Sequence, residues 1–146
     1  MSRYTVVPSV YLIPLKDNKT VLGVRRNTPW MNGYYAMISG HVEEGETPEE
    51  AIIREAKEEA GIMITPDDLN LSLMMYRRLD RGNVDYFYTI RHWDGEITNC
   101  EPDKLGDWEW FDLTNVPENT IHYLTLALDH VAQELPLKHM NYSRSS

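Results

Sequence analysis

An α/β sandwich, with a mixed β-sheet lying between helices, is the fold class this sequence predicts, on three observations. A well-punctuated amphipathic helix occupies the middle of the chain, from Pro48 to Ala60. Stretches rich in Val, Leu and Tyr, broken by turn-forming residues, flank it on both sides. A second amphipathic segment, Ile121 to Glu134, closes the chain. Strands interrupted by one central helix and closed by another imply a sheet covered on both faces.

Thr5 to Leu15 and Thr20 to Arg26 read as strands, and the turn-prone Lys16-Asp17-Asn18-Lys19 between them predicts a hairpin. Tyr35 to Gly40 reads as a third strand that delivers the chain to the central helix. Leu69 to Asp80 and Asn83 to Trp93 predict a further hairpin around Arg81-Gly82, and Trp108 to Asp112 a short strand. Asn119-Thr120 marks the start of the closing helix. Residues 1–140 are read as a single domain and 141–146 as a polar, frayed C-terminal tail.

The central helix carries the chemistry. Thr47 is its N-cap, Pro48 sits at the first helical position with φ pre-set, and Glu50 closes a capping box. Gly61 can take the left-handed conformation that ends it. Ile52, Ile53, Ala56 and Ala60 form a narrow apolar stripe that faces the core. Glu55, Glu58 and Glu59 cluster on the adjacent arc, because positions three and four apart are neighbours on a helix surface. Like charges so placed repel, and partial burial makes the repulsion worse. Arg54 and Lys57 relieve part of it; a hard divalent cation with oxygen ligands, magnesium or manganese in its place, suits a carboxylate cluster better.

Gly40, five residues, Glu46, seven residues, and then Arg54-Glu55-Ala56-Lys57-Glu58-Glu59-Ala60-Gly61-Ile62 resembles the signature box of the Nudix hydrolases. Its one departure is Ala56, where the family pattern usually has a larger aliphatic residue. The resemblance implies the Nudix α/β/α sandwich and the hydrolysis of a nucleoside diphosphate linked to another group. It implies that Glu55, Glu58 and Glu59 bind metal and act in catalysis, with the backbone carbonyl of Gly40 a further ligand. Glu55 and Glu58 both remain open as general base. Arg54 joins the catalytic set by pairing with Glu46 and so orienting loop and helix. Family members often add an acidic ligand from a later loop, a place that Glu101 takes here, with Asp103 and Asp107 as runners-up and an ordinary acidic surface loop as the alternative.

Substrate contacts are sought ahead of the box. Arg25 and Arg26 end a strand and could bind phosphate oxygens, but alternation puts them on opposite faces, so at most one lines a pocket. Trp30, Tyr34, Tyr35, Tyr86, Tyr88, Trp108 and Trp110 are candidate stacking surfaces, most of them expected in the core; Tyr35 is taken with the two arginines as substrate-binding. His41, His92, His122, His130 and His139 show no zinc-ligand spacing with Cys100. The segment Arg26 to Tyr35 is similar to that of MutT-like members, which implies a nucleoside triphosphate yielding nucleoside monophosphate and pyrophosphate. Nucleotide sugars and dinucleoside polyphosphates stay open as substrates, as does a nucleotide-binding sensor that has lost turnover. An isoprenoid-diphosphate isomerase needs a catalytic cysteine that Cys100 does not obviously supply.

Composition agrees with a small enzyme. The 146 residues suffice for one domain with a real core, without linker, repeat or low-complexity segment. A single cysteine excludes an intramolecular disulfide, and neither a signal peptide nor a membrane-spanning run is present, so a cytoplasmic location is expected. A formal charge of −9 opposes polynucleotide binding and leaves a small nucleotide, held through metal, as the expected partner. The sequence leaves a homodimer open.

Overall fold

The computed structural model describes residues 3–78 and 81–143. In chain order its strands are β1 (Val6–Pro14), β2 (Lys19–Val24), β3 (Tyr35–Ala36), β4 (Ile38–His41), β5 (Asn70–Arg78), β6 (Gly82–Ile90), β7 (Glu109–Asp112) and β8 (Lys138–Ser143). Helix α1 (Pro48–Ala60) follows β4 and α2 (His122–Ala132) follows β7. The strands form two sheets, a five-stranded one ordered β4-β1-β6-β5-β8 and a three-stranded one ordered β3-β2-β7.

β1 sits inside the larger sheet, antiparallel to β4 and parallel to β6, and is apolar on both faces because both are covered. Val10 and Leu12 join the α1-side core with Ile38, Tyr88 and Ile90. Tyr11 and Ile13 join the α2-side core with Leu73, Met75 and Phe87. The expected mixed sheet between helices is therefore present, with the smaller sheet beside it.

The first predicted hairpin is not. Its turn forms as expected: Lys16 and Lys19 exchange backbone hydrogen bonds of 3.1 and 2.9 Å around Asp17 and Asn18, both left-handed at φ 52° and 62°. But β1 already has a partner along each edge, so β2 leaves for the other sheet. The stretch read as one strand from Tyr35 to Gly40 breaks at Met37, its first half pairing with β2 and its second with β1. β5 and β6 pair antiparallel as predicted; Leu79 and Asp80, in which the first of these was expected to end, lie outside the described residues.

Asn141, Tyr142 and Ser143, read as tail, belong to β8, which runs parallel to β5. Met140 and Tyr142 alternate inward onto the α2-side core, and two apolar anchors suffice to dock an otherwise polar strand. Residues 144–146 lie outside the described part. α2 is capped by Ile121 without a side-chain bond, because the Thr120 hydroxyl donates instead to the Pro117 carbonyl at 2.7 Å.

α1 has the predicted ends. Glu50 N–H donates to Thr47 Oγ1 at 3.1 Å, Thr47 N–H donates to Glu50 Oε1 at 2.9 Å, and Gly61 is left-handed at φ 69°. Its buried stripe is Ala51, Ile52, Ala56 and Ala60, one position off the expected one, with Ile53 half-buried at the margin. The small Ala56, fully buried, lies where α1 packs on β4 and β1.

Candidate active site

The loop from Gly40 to Thr47 and the exposed arc of α1 are tied together by Arg54. Its Nε donates to Glu46 Oε2 at 2.7 Å and its Nη2 to Glu46 Oε1 at 3.0 Å, a bidentate pair that fixes the guanidinium plane. Nη2 also donates to the His41 carbonyl at 3.1 Å. Nη1 lies 3.2 Å from Glu55 and 3.4 Å from Glu58. Glu46 is held well below the usual carboxylate range, at about 2, chiefly by its bond to Arg54. The expected Arg54–Glu46 pair is thus in place.

Behind that arginine the acids crowd. Burial pushes Glu55 up to about 7; Arg54 opposes the shift, while Glu58 and Glu101 add repulsion. Glu59 is raised further, again chiefly by burial, although Ser39 N–H donates to its Oε1 at 2.8 Å; Glu55 and Glu101 repel it. Glu101, which adds to the repulsion on both, is half-buried on a loop braced by its own N–H to Asn99 Oδ1 at 2.9 Å and by Asn99 Nδ2 to the Leu105 carbonyl at 2.8 Å. Asp103 and Asp107 are exposed. Trp108 Nε1 donates to the Glu59 carbonyl at 3.1 Å and secures the end of α1.

Gly40 lies directly under Glu55: a Cβ there would overlap the Glu55 carboxylate. Its lack of a side chain is what lets strand β4 and that carboxylate approach. Glu55, Glu59, Glu101 and the Gly40 carbonyl offer only oxygen donors and excess negative charge, which fits a hard divalent cation. Glu58 is more than half exposed and leans on Arg54. Among the described residues no three acidic, His or Cys side chains stand close enough to clasp an ion as they are, Arg54 being the cation that Glu55 and Glu58 face.

Next to this cluster opens a cavity of about 660 Å³, which touches it through Ser39, Gly40 and Glu59. Arg25 lines the cavity, its Nε donating to the Trp30 carbonyl at 2.9 Å and its guanidinium 5.3 Å from the Trp30 ring centroid. Arg26 turns the other way, Nε donating to the Pro102 carbonyl at 2.8 Å, which is the split that strand alternation requires. Tyr35 does not reach the cavity. Its neighbour Ala36 takes that face, while Tyr35 packs edge-on against Phe111 and donates to Glu109 at 3.3 Å. Among the other aromatics Trp30 is half open to the cavity; Tyr88 is core, donating to Glu49 at 2.5 Å; Trp110 stacks on Trp93. His41 lines the cavity too, its pKa lowered by burial and by Arg81 and Arg77.

Sequence reasoning missed the polar end of this cavity. Ser9, Asn83, Asp85 and Arg77 all stand on the α2 face of the large sheet, at positions whose strand neighbours Tyr11, Phe87 and Met75 are core. Arg77 Nε donates to Asp85 Oδ2 at 2.5 Å and Nη2 to Asp85 Oδ1 at 3.2 Å; Nη2 also donates to Tyr11 Oη at 3.2 Å. The guanidinium lies 4.1 Å from the Tyr123 ring centroid. The available signal was polar residues at inward strand positions, legible only once each strand's face is known.

The sequence profile of the NUDIX domain matches residues 5–130, and this chain belongs to that family. An ADP-ribose pyrophosphatase of Methanocaldococcus jannaschii is 37% identical over 116 residues, which span 79% of this chain and 63% of that protein. An 8-oxo-dGTP diphosphatase of Escherichia coli is 32% identical over 101 residues, 68% of this chain and 76% of its own. Among solved structures, a MutT NUDIX hydrolase from Burkholderia pseudomallei superposes with a TM-score of 0.78 at 25% identity, covering 87% of this chain and 98% of that one. A MutT protein from Bacillus halodurans, at 18% identity and a TM-score of 0.76, shares the fold.

Proposed function

We propose that this chain is a divalent-metal-dependent pyrophosphohydrolase that splits the diphosphate of a nucleoside diphosphate linked to another group, a nucleoside triphosphate giving nucleoside monophosphate and pyrophosphate. The observation that supports the reading is that Gly40 and Glu59 line a cavity large enough for a nucleoside, with Glu55 against Gly40 and Glu101 near enough to repel both glutamates. Glu55, Glu58, Glu59, Glu101 and the Gly40 carbonyl are the residues that would hold magnesium, or manganese in its place. Such an ion, when bound, neutralises phosphate charge and acidifies water.

The chain's own groups do the rest. Glu55, kept near neutrality, is suited to accept a proton, and the exposed Glu58 is the second candidate for that role. Arg54 holds the Glu43–Glu46 loop against α1 and so fixes the direction of both carboxylates. Arg25 at the cavity wall is placed to pair with phosphate oxygens. Among the described residues no helix is long and apolar enough to cross a membrane, which accords with a small nucleotide met in the cytoplasm.

The test is a substrate panel of nucleoside triphosphates, nucleotide sugars and dinucleoside polyphosphates with magnesium or manganese, products resolved by chromatography. Release of nucleoside monophosphate is expected; if no member of the panel is cleaved while nucleotides still bind, the chain is a sensor instead.

A further inference from the structure

The buried ion pair of Arg77 and Asp85 has no part in the chemistry above. Asp85 is fully buried and Arg77 is 6% exposed. Taking such a pair out of water costs several kcal/mol per ion, and well-packed apolar residues in its place are often at least as stable. Stability therefore does not explain it, and its position does: Arg77 lines the cavity that the catalytic cluster shares.

Its donors are partly committed. Nε and Nη2 serve Asp85 and Tyr11, while Nη1 has no partner among the described residues. The single side-chain polar atom there that is both sealed from solvent and unpartnered is Thr20 Oγ1, so Nη1 keeps access to the cavity. Asp85 and the face of Tyr123 fix the guanidinium in one orientation, so a ligand need not order it. Arg81 lines the same cavity, whereas Asp85 is fully buried, each of its oxygens accepting from Arg77. The aromatic walls Trp30, Tyr11 and Tyr123 accommodate a flat ring. A ring edge turned toward Arg77 meets a hydrogen-bond donor at Nη1, with the Ser9 and Asn83 side chains beside it.

We propose that Arg77, held by Asp85, reads the carbonyl oxygen of an oxo-type nucleobase and rejects the amino-type counterpart, so that 6-oxopurine and 4-oxopyrimidine nucleotides are the substrates of this site. The inference rests on the nucleotide reading given above. The chemistry is that of a guanidinium facing the acceptor edge of a base; an exocyclic amino group at the same place sets donor against donor. Sites built to bond a polar group discriminate strongly because the alternative leaves buried groups unpaired. Asp85 is a positioning residue, acting only through Arg77.

Matched pairs isolate that one atom. Binding of IMP against AMP and of UMP against CMP is measured calorimetrically without metal, and kcat/KM for ITP, ATP, UTP and CTP with magnesium. The oxo member of each pair is expected to bind about tenfold tighter or more in the wild type. The double variant Arg77→Met with Asp85→Leu removes both charges and should bring each ratio to within about twofold; Arg77→Lys, which keeps charge and loses the planar fork, should fall between. Equal binding of oxo and amino members by the wild type overturns the proposal, as does an oxo preference that survives in whichever of the variants folds. If triphosphates are cleaved without preference, the hydrolase reading stands and this inference falls; if IMP outbinds AMP but no triphosphate is cleaved, the reverse holds.

Discussion

On the α1 face of the five-stranded sheet the groups proposed to hold metal come from one contiguous stretch, Gly40 to Glu59, joined by Glu101. On the α2 face the cavity draws Ser9, Arg77, Asn83 and Tyr123 from four separate elements. The first arrangement is acid-rich, with Glu58 open to solvent and Glu55 and Glu59 partly buried; the second is a buried ion pair whose arginine lies against the Tyr123 ring and lines the cavity. The contrast separates two tasks. A reaction centre can be written as a local spacing on one helix, whereas a recognition surface depends on which strands the topology sets side by side.

The contrast can be broken first at the reaction centre. Glu58→Gln is expected to lower kcat by about two to four orders of magnitude with the circular dichroism spectrum unchanged; a fully active variant would remove Glu58 from the mechanism. On the other face the expected loss is of stability. Arg77→Ala strands the Asp85 carboxylate in the core and should cost about 3–5 kcal/mol by urea unfolding, while the double replacement of the pair should be close to neutral.

Gly40→Ala sharpens the comparison, because the added Cβ meets Glu55. A Cβ there collides with the end of a flexible side chain, not with backbone, so Glu55 moves and the fold does not. Activity should drop about a hundredfold, as misplacement of a reacting group does, with little change in melting temperature.

Protonation provides a further distinction. Glu55 at about 7 and Glu59, also raised, lie above the 4.5 of an ordinary glutamate, so in the metal-free protein the folded state holds protons that the unfolded chain has released. Its stability should decline as pH rises from about 4.5 through 7, and magnesium added near neutral pH should release protons, measurable in weakly buffered solution. A metal-free protein whose urea midpoint rises over that interval contradicts the crowding of these acids. The smallest effect belongs to the helix start: Thr47→Ala removes a capping bond and should cost about 1 kcal/mol by thermal unfolding.

The same division explains what could be read without coordinates. α1, its cap, its stop and the Arg54–Glu46 pair follow from spacings within one helix turn or one loop, and they are legible. The fate of β2 was not, since a strong turn at Asp17-Asn18 looks the same whether its strands pair or part; only the prior claims of β4 and β6 on β1 decide it. β8 escaped notice because Met140 and Tyr142 are its only large apolar residues. Tyr35 and Ala36 differ by one residue of alternation, and it is Ala36 that has the cavity face. No spacing in the sequence singles out Arg77 or Asp85; the register Arg77↔Asn83 and Ser9↔Asp85 turns both inward.

The break at Met37 has a mechanical consequence. Ala36, in the small sheet, is part of the cavity wall, and Gly40, in the large sheet, lies beneath Glu55. Three residues, Met37, Ile38 and Ser39, connect them, a span of at most about 13 Å. The cavity wall at Ala36 and the glycine that admits Glu55 are thus neighbours along the chain as well as in space. Met37, 2% exposed and packed in the α2-side core, pins the break between the two sheets, so the positions of both ends depend on how that one side chain packs.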